Sequence, residues 1–165
     1  MGTLKDNNYI KISNFLSKEE LYLIQSYSKY HALNNPCFDN LSPFSPVLYN
    51  DIIFNSLMES KKLLIEDEVG LKLCTNHAHG RVFVHGATLE NIKDTSKIKV
   101  IINIDSCGTS WPLWSGEDSI DLNIGEGLIY SENITIYHKD FFNGKYCNFG
   151  YLYYKEDNET EKRRN

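Results

Sequence analysis

The residues of this chain that could do chemistry concentrate between Arg81 and Tyr154. An early acid, Asp94, closes the run R-V-F-V-H-G-A-T-L-E-N-I-K-D, and a late imidazole, His138, sits in I-Y-H-K-D-F-F-N-G-K. Short β-rich runs punctuated by Gly, carrying an early Asp and a late His, are the layout of a small β-barrel with a site in its mouth. Just upstream, N-H-A-H-G-R-V-F puts His77, His79, Arg81 and Phe83 on one face of a strand, because side chains alternate across a strand. Other chemistries lack their signatures. There is no Gly-rich phosphate loop, no G-x-S-x-G elbow and no H-E-x-x-H pair. Gly125-x-Gly127 is too short for a dinucleotide fingerprint, and Glu66-Asp67-Glu68 and Glu117-Asp118 read as solvated charges. Cys37, Cys74, Cys107 and Cys147 form no C-x-x-C pair and no zinc-type spacing.

Positioning an Asp and a His so far apart in sequence requires a framework of strands. Tyr9 to Ser13 (Y-I-K-I-S) alternates as a short strand. Ser17 and Glu20 form a capping box and Leu16 with Leu21 a hydrophobic staple, so a helix is expected from there to about Ala32, with Leu21, Leu23, Ile24 and Tyr27 facing the core. Leu33 to Tyr49 is rich in Pro, Asn and Ser and reads as an irregular loop, either a surface excursion anchored by Phe38 and Phe44 or a lid. Asn50 or Asp51 caps a second helix running to about Glu66, with an apolar stripe of Ile53, Phe54, Leu57, Met58, Leu64 and Ile65 that belongs on the outer face of a sheet.

After Gly70 the period changes to that of strands. Leu71 to Asn76, His77 to Val84, Ile98 to Asp105, Ile120 to Asn123, Gly127 to Tyr130, Thr135 to His138 and Asn148 to Tyr154 are strand candidates. In the third of these Ile98, Val100, Ile102 and Ile104 share one face. Helices first and many short strands afterwards predict an α+β fold in which two N-terminal helices buttress a β-sandwich or jelly-roll barrel. The domain is expected to span residues 1–154, and the polar stretch 155–165 is expected to be a disordered tail.

A chain of 165 residues is long enough to bury a real core. Its net charge of −5 gives no global attraction to nucleic acid or anionic lipid, and no apolar run is long enough to span a bilayer. The first residues, M-G-T-L-K-D-N-N, have no signal-peptide character. A cytoplasmic location with reduced thiols is expected, in a host cytoplasm or virion if the source is viral.

In order and spacing, Arg81-Val-Phe-Val-His-Gly86-Ala87-Thr-Leu89, Trp111-Pro-Leu-Trp114, Leu122-Asn-Ile-Gly-Glu126-Gly-Leu-Ile-Tyr130, Tyr137-His138-Lys139 and Tyr151-Leu-Tyr-Tyr154 form a connected pattern. The pattern resembles the iron(II)- and 2-oxoglutarate-dependent oxygenases, in particular the prolyl-hydroxylase-like branch of bacteria and phages. The opening I-S-N-F-L-S-K-E-E is similar to the lead-in helix of that family. The resemblance implies a double-stranded β-helix, a cupin-like jelly roll with two N-terminal buttressing helices, and Fe(II) held by two His and one carboxylate, with open positions for co-substrate and dioxygen. Asp94 falls on the carboxylate and His138 on the distal His. The first His is replaced by Ile92, which cannot donate to a metal. The resemblance further implies Arg81, Lys145 and Tyr130 as candidates to hold 2-oxoglutarate, while Phe83 replaces the ring that often contacts it.

Three arrangements stay open at this point. His77 or His79 takes the place of the lost ligand, His79 giving an irregular triad with Asp94 and His138. Alternatively, His85-Gly86-Ala87 imitates the motif of iron halogenases. In the third, the metal site is lost and Asp94 and His138 persist as a hydrogen-bonded pair. Two functions follow. One is an Fe(II)/2-oxoglutarate-dependent dioxygenase that hydroxylates a small molecule or a peptide side chain. The other is a catalytically inactive relative without cofactor that binds a protein partner or belongs to an assembly such as a phage virion.

Overall fold

The computed structural model of the protein describes residues 8–89 and 94–158. Eight strands and two helices follow in the order β1 (Tyr9–Ile12), α1 (Lys18–Asn34), β2 (Val47–Tyr49), α2 (Ile52–Val69), β3 (Leu73–Val84), β4 (Ile98–Ser106), β5 (Leu113–Ser115), β6 (Asp118–Ile120), β7 (Gly127–Ser131) and β8 (Tyr146–Glu156). Six strands form one antiparallel sheet in the order β1-β7-β4-β8-β3-β2. The β5–β6 hairpin faces it as a smaller sheet, extended by a bridge between Trp114 and Tyr137. Chain neighbours are rarely sheet neighbours, which is how a jelly roll differs from a meander.

The two helices start where their caps dictate. The Ser17 side chain accepts from the Glu20 amide and the Glu20 side chain accepts from the Ser17 amide, closing a capping box. The Asp51 carboxylate caps α2 through the Ile53 amide, and Gly70, at φ 70°, ends it in the left-handed conformation. Both helices pack on one face of the large sheet. Ile24 and Phe54, Leu57, Met58 and Ile65 bury there against Ile98, Val100, Ile102 and Ile104 of β4 and Leu152 and Tyr154 of β8. Leu23 and Leu64, expected in this core, are exposed. The helices come close enough that two strand positions must lack a side chain. A Cβ on Gly80 would lie 2.0 Å from the Phe54 ring, and one on Gly127 would lie 2.7 Å from Phe15.

The opposite face of the sheet forms the interior of the roll. Phe83, Ile101, Leu128, Tyr130, Phe149, Tyr151 and Tyr153 meet Trp111, Leu113 and Phe142 there. The structure therefore has the α+β architecture expected, with several local differences. The strand expected at 135–138 is reduced to the single bridge at Tyr137, β2 arises inside the stretch read as a loop, and β5 lies where no strand was expected. Strand β8 runs through Lys155 and Glu156 because these pair with Cys74 and Leu73 of β3; residues 159–165 lie outside the described part.

The Pro-rich segment before β2 is not anchored by its aromatics. Phe38 and Phe44 are both exposed. It is held by polar contacts instead. Asp39 accepts the backbone amides of Leu41 and Ser42 and pairs with Arg81, Ser42 donates to Ser45, and the Val47 amide bonds the Cys37 carbonyl.

Candidate functional site

A cavity of about 220 Å³ opens at one end of the roll. Asp94 and His138 both line it, although 44 positions separate them in the chain. Asp94 arrives on the segment entering β4. His138 is delivered by the stretch that the Trp114–Tyr137 bridge ties to the small sheet. Lys99 and Ile101 of β4, Tyr130 of β7, and Tyr151 and Tyr153 of β8 complete the floor and walls.

His138 is held in one orientation. Its ring stacks on Trp111 at 3.6 Å with an interplanar angle of 9°, and its Nδ1 lies 3.1 Å from the Pro112 carbonyl oxygen. A carbonyl can only accept, so Nδ1 carries the proton and Nε2 presents a lone pair. That Nε2 is buried without a partner. Burial pushes the imidazole down to about 4 against the opposing Pro112 hydrogen bond, so the ring is neutral at physiological pH.

The other candidates are engaged elsewhere. Asp94 accepts the Ser96 amide at 2.7 Å through one oxygen, and its other oxygen lies 3.6 Å from His77 Nε2. His77 stacks on Tyr153 at 4.1 Å, and burial lowers its pKa although Asp94 opposes the shift. His79 is buried in a pile of rings, stacked on Tyr49 at 5.1 Å and Tyr151 at 4.7 Å, with both ring nitrogens unpartnered. Burial, reinforced by the Arg81 charge, takes it down to about 3. His79 is not among the residues lining the cavity. His85 is exposed beside Gly86, which takes φ 81° in the turn after β3.

The sequence-stated cations divide the same way. Arg81 is fully buried on the interior face of β3, as its alternation with His77, His79 and Phe83 requires. Its two terminal nitrogens both reach the Asp39 carboxylate, and Nη1 also donates to the Ser45 carbonyl. Burial alone would raise the Asp39 pKa, but the Arg81 hydrogen bonds and charge outweigh it and hold the carboxyl below its usual range. Arg81 therefore pins the segment before β2 and is not among the residues lining the cavity. Lys145 is exposed and also lies away from the cavity lining; its backbone amide donates to Cys107 Sγ. Tyr130 does line the cavity, and burial raises its hydroxyl pKa.

The cation that enters the cavity is Lys99, whose Nζ donates to the Asp94 carbonyl at 3.1 Å. The sequence held the signal for it. If Ile98, Val100, Ile102 and Ile104 face the helices, then Lys99, Ile101 and Asn103 must face the interior. The buried, unpartnered hydroxyl of Tyr151 follows from the same alternation on β8.

No family model and no curated protein matches the chain, but solved structures match its fold along nearly its whole length. An oxidoreductase of the 2OG-Fe(II) oxygenase family from Burkholderia pseudomallei superposes with a TM-score of 0.73 at 8% identity, covering 92% of this chain and 86% of that one. The collagen prolyl hydroxylase of Paramecium bursaria Chlorella virus-1, in complex with 2-oxoglutarate, gives 0.68 at 9% identity, covering 93% and 98%. HygX from Streptomyces hygroscopicus, with nickel, 2-oxoglutarate and hygromycin B bound, gives 0.72 at 10% identity, covering 92% and 84%. The fold is thus the double-stranded β-helix of the 2-oxoglutarate- and iron-dependent oxygenases, prolyl hydroxylases included. No helix of the described residues is long and apolar enough to cross a membrane.

A metal centre of the kind this fold implies needs three convergent donors. Among the described residues no group of three or more His, Cys, Asp or Glu side chains is placed to hold a metal ion. His138 has the tautomer and the free lone pair of a ligand. Asp94 shares its cavity but is turned to Ser96 and His77, and Ile92 lies outside the described residues. The donors among the described residues do not by themselves make up the three-ligand centre.

Proposed function

We propose that this chain is a ligand-binding protein on an oxygenase fold, catalytically silent as an iron enzyme, that takes a small organic acid into the cavity beside His138. The observation that carries the reading is that cavity's donor set: Asp94 and His138 without a third metal ligand among the described residues, in a chain with Ile92 at the remaining family position. Glu132, which also lines the cavity, is matched by Lys97 at 2.6 Å, and the remaining lining suits a carboxylate on a small apolar body. Lys99 supplies the positive charge, the Tyr151 hydroxyl an uncommitted hydrogen bond, and Ile101, Leu113 and Ile136 the apolar walls. A hydrogen bond to a charged group contributes about 2 kcal/mol, so Lys99→Met should weaken binding at least about tenfold.

The test is calorimetry of chelator-treated protein with 2-oxoglutarate and with succinate, followed by anaerobic addition of Fe(II). Binding that needs no metal, no visible metal-to-ligand charge-transfer band, and loss of affinity in Lys99→Met are expected. A wild-type protein that binds neither acid without metal would remove the proposal.

A second reading, a working dioxygenase acting on a small molecule or peptide side chain, draws on one observation: His138 Nε2 is buried, unpartnered and already in the ligand tautomer. A charge-transfer band in the wild type that disappears in His138→Ala would establish it. A band gained only in Ile92→His would support the silent reading.

A further inference from the structure

The roll has a second cavity, and no part of the reading above uses it. It measures about 510 Å³ between β4, the start of β8 and the segments flanking the small sheet. Asn103, Trp111, Leu113, Asp121, Cys147 and Phe149 are among its walls. Leu113 lines both cavities, and Trp111, which walls the second, stacks on His138, which walls the first. The two spaces are separated by little more than the thickness of these side chains.

The chemistry of this second space differs from that of the first. Asn103 is buried, only 7% exposed, and its Nδ2 donates to the Leu122 carbonyl at 2.7 Å. That bond fixes the amide's orientation and leaves Oδ1 as a buried acceptor with no partner. A buried acceptor without a partner costs about 1–3 kcal/mol, which a ligand donor would recover. Among the described residues lining the space the one charged side chain is Asp121, held by the Ser110 hydroxyl at 2.6 Å. The nearby Lys11 is already matched by Glu126 at 2.8 Å and donates to the Asp121 carbonyl. Trp111, Leu113 and Phe149 add apolar and aromatic surface.

We infer that this second cavity is a binding site for a small amine, with the ammonium group donating to Asn103 Oδ1 near the Asp121 carboxylate and an apolar body lying against Trp111, Leu113 and Phe149. An acceptor with no donor, a lone negative charge and an aromatic wall select against anions and favour a cation. Because Trp111 stacks on His138, an occupant here also touches the residue that positions the imidazole of the first cavity.

Benzylammonium, benzyl alcohol and phenylacetate serve as probes of similar size and different charge. Binding is followed by the indole N–H resonance of Trp111, assigned by its persistence in Trp114→Phe. Benzylammonium should shift the signal saturably, benzyl alcohol should bind about tenfold more weakly, and phenylacetate should leave it unmoved. Asp121→Asn should reduce the preference for benzylammonium over benzyl alcohol, and Asn103→Leu should weaken both about tenfold. Asn103→Leu also loses the bond to Leu122, so its fold is checked by the dispersion of the spectrum, and Asp121→Asn carries the conclusion if that variant does not fold. Absence of saturable binding by benzylammonium, phenylacetate binding as well as the amine, or a preference unchanged in Asp121→Asn would each overturn the assignment.

Discussion

Replacing His79 by Phe should leave the protein as stable as before at neutral pH and more stable in acid. His79 lies in a stack with Tyr49 and Tyr151, and neither ring nitrogen has a hydrogen-bond partner. Phe keeps the stacking and removes two buried polar atoms, so at about pH 7 the change should fall between zero and about 1 kcal/mol in favour of the variant. The acid effect follows from the pKa. In the unfolded chain the imidazole titrates near 6.5; in the fold burial and the Arg81 charge take it to about 3. Between these values the unfolded state binds a proton that the native state does not, so stability falls as pH falls, and below about 3 the loss stops growing. From about pH 7 to about pH 4.5 this one group removes on the order of 2.5 kcal/mol, at 1.36 kcal/mol per unit. Urea unfolding of wild type and His79→Phe at both pH values isolates the term, since other titrating groups cancel in the comparison. An acid limb as steep in the variant as in the wild type would refute the reasoning. So would a loss above about 2 kcal/mol at neutral pH, which would mean that the nitrogens hold partners.

The buried pair of Arg81 and Asp39 gives a second prediction. Asp39→Asn leaves a fully buried guanidinium without its counter-charge and should cost about 3 kcal/mol in urea unfolding, with Arg81→Met restoring much of it in the double variant. A third concerns Cys107. Backbone hydrogen bonding at Tyr146, with the Thr109 hydroxyl and amide, holds its thiol down to about 6, while burial pushes Cys147 up. Site-resolved mass spectrometry should find iodoacetamide alkylating Cys107 with a rate that rises through about pH 6 and far exceeds that at Cys147.

What the sequence disclosed and what it hid divide along physical lines. Period and capping are local, so the capping box at Ser17, the helix after Asp51 and the helix-facing side of β4 could be read directly. The alternation that placed His77, His79, Arg81 and Phe83 on the interior face was also local. Which partner each of them meets was not. Asp39 reaches Arg81 from 42 positions away, and nothing in N-N-P-C-F-D-N-L marks that Asp as a counter-ion. The exposure of Phe38 and Phe44 was hidden for the same reason, since the loop is held by polar bonds that have no period. Three-residue strands such as β2 and β5 are too short to show alternation and exist through their neighbours' register.

The fold and the metal site usual on it depend on different residues. Stability resides in the helix-facing core, where Phe54, Ile65, Ile102, Ile104 and Leu152 are almost completely buried, and in a register that Gly80 and Gly127 fix by steric need. Hydrophobic packing tolerates wide substitution when volume and pattern are kept. A fold shared at 8–10% identity is therefore unsurprising. A three-ligand metal centre has no such tolerance, because an aliphatic side chain in place of one imidazole removes a donor outright. Asp94 has the Ser96 amide and His77 as partners. Burial keeps the His138 imidazole neutral while its ring stacks on Trp111. On the silent reading proposed above, Ile92 removes one donor from the family's set, and Asp94 and His138 serve the cavity without the metal.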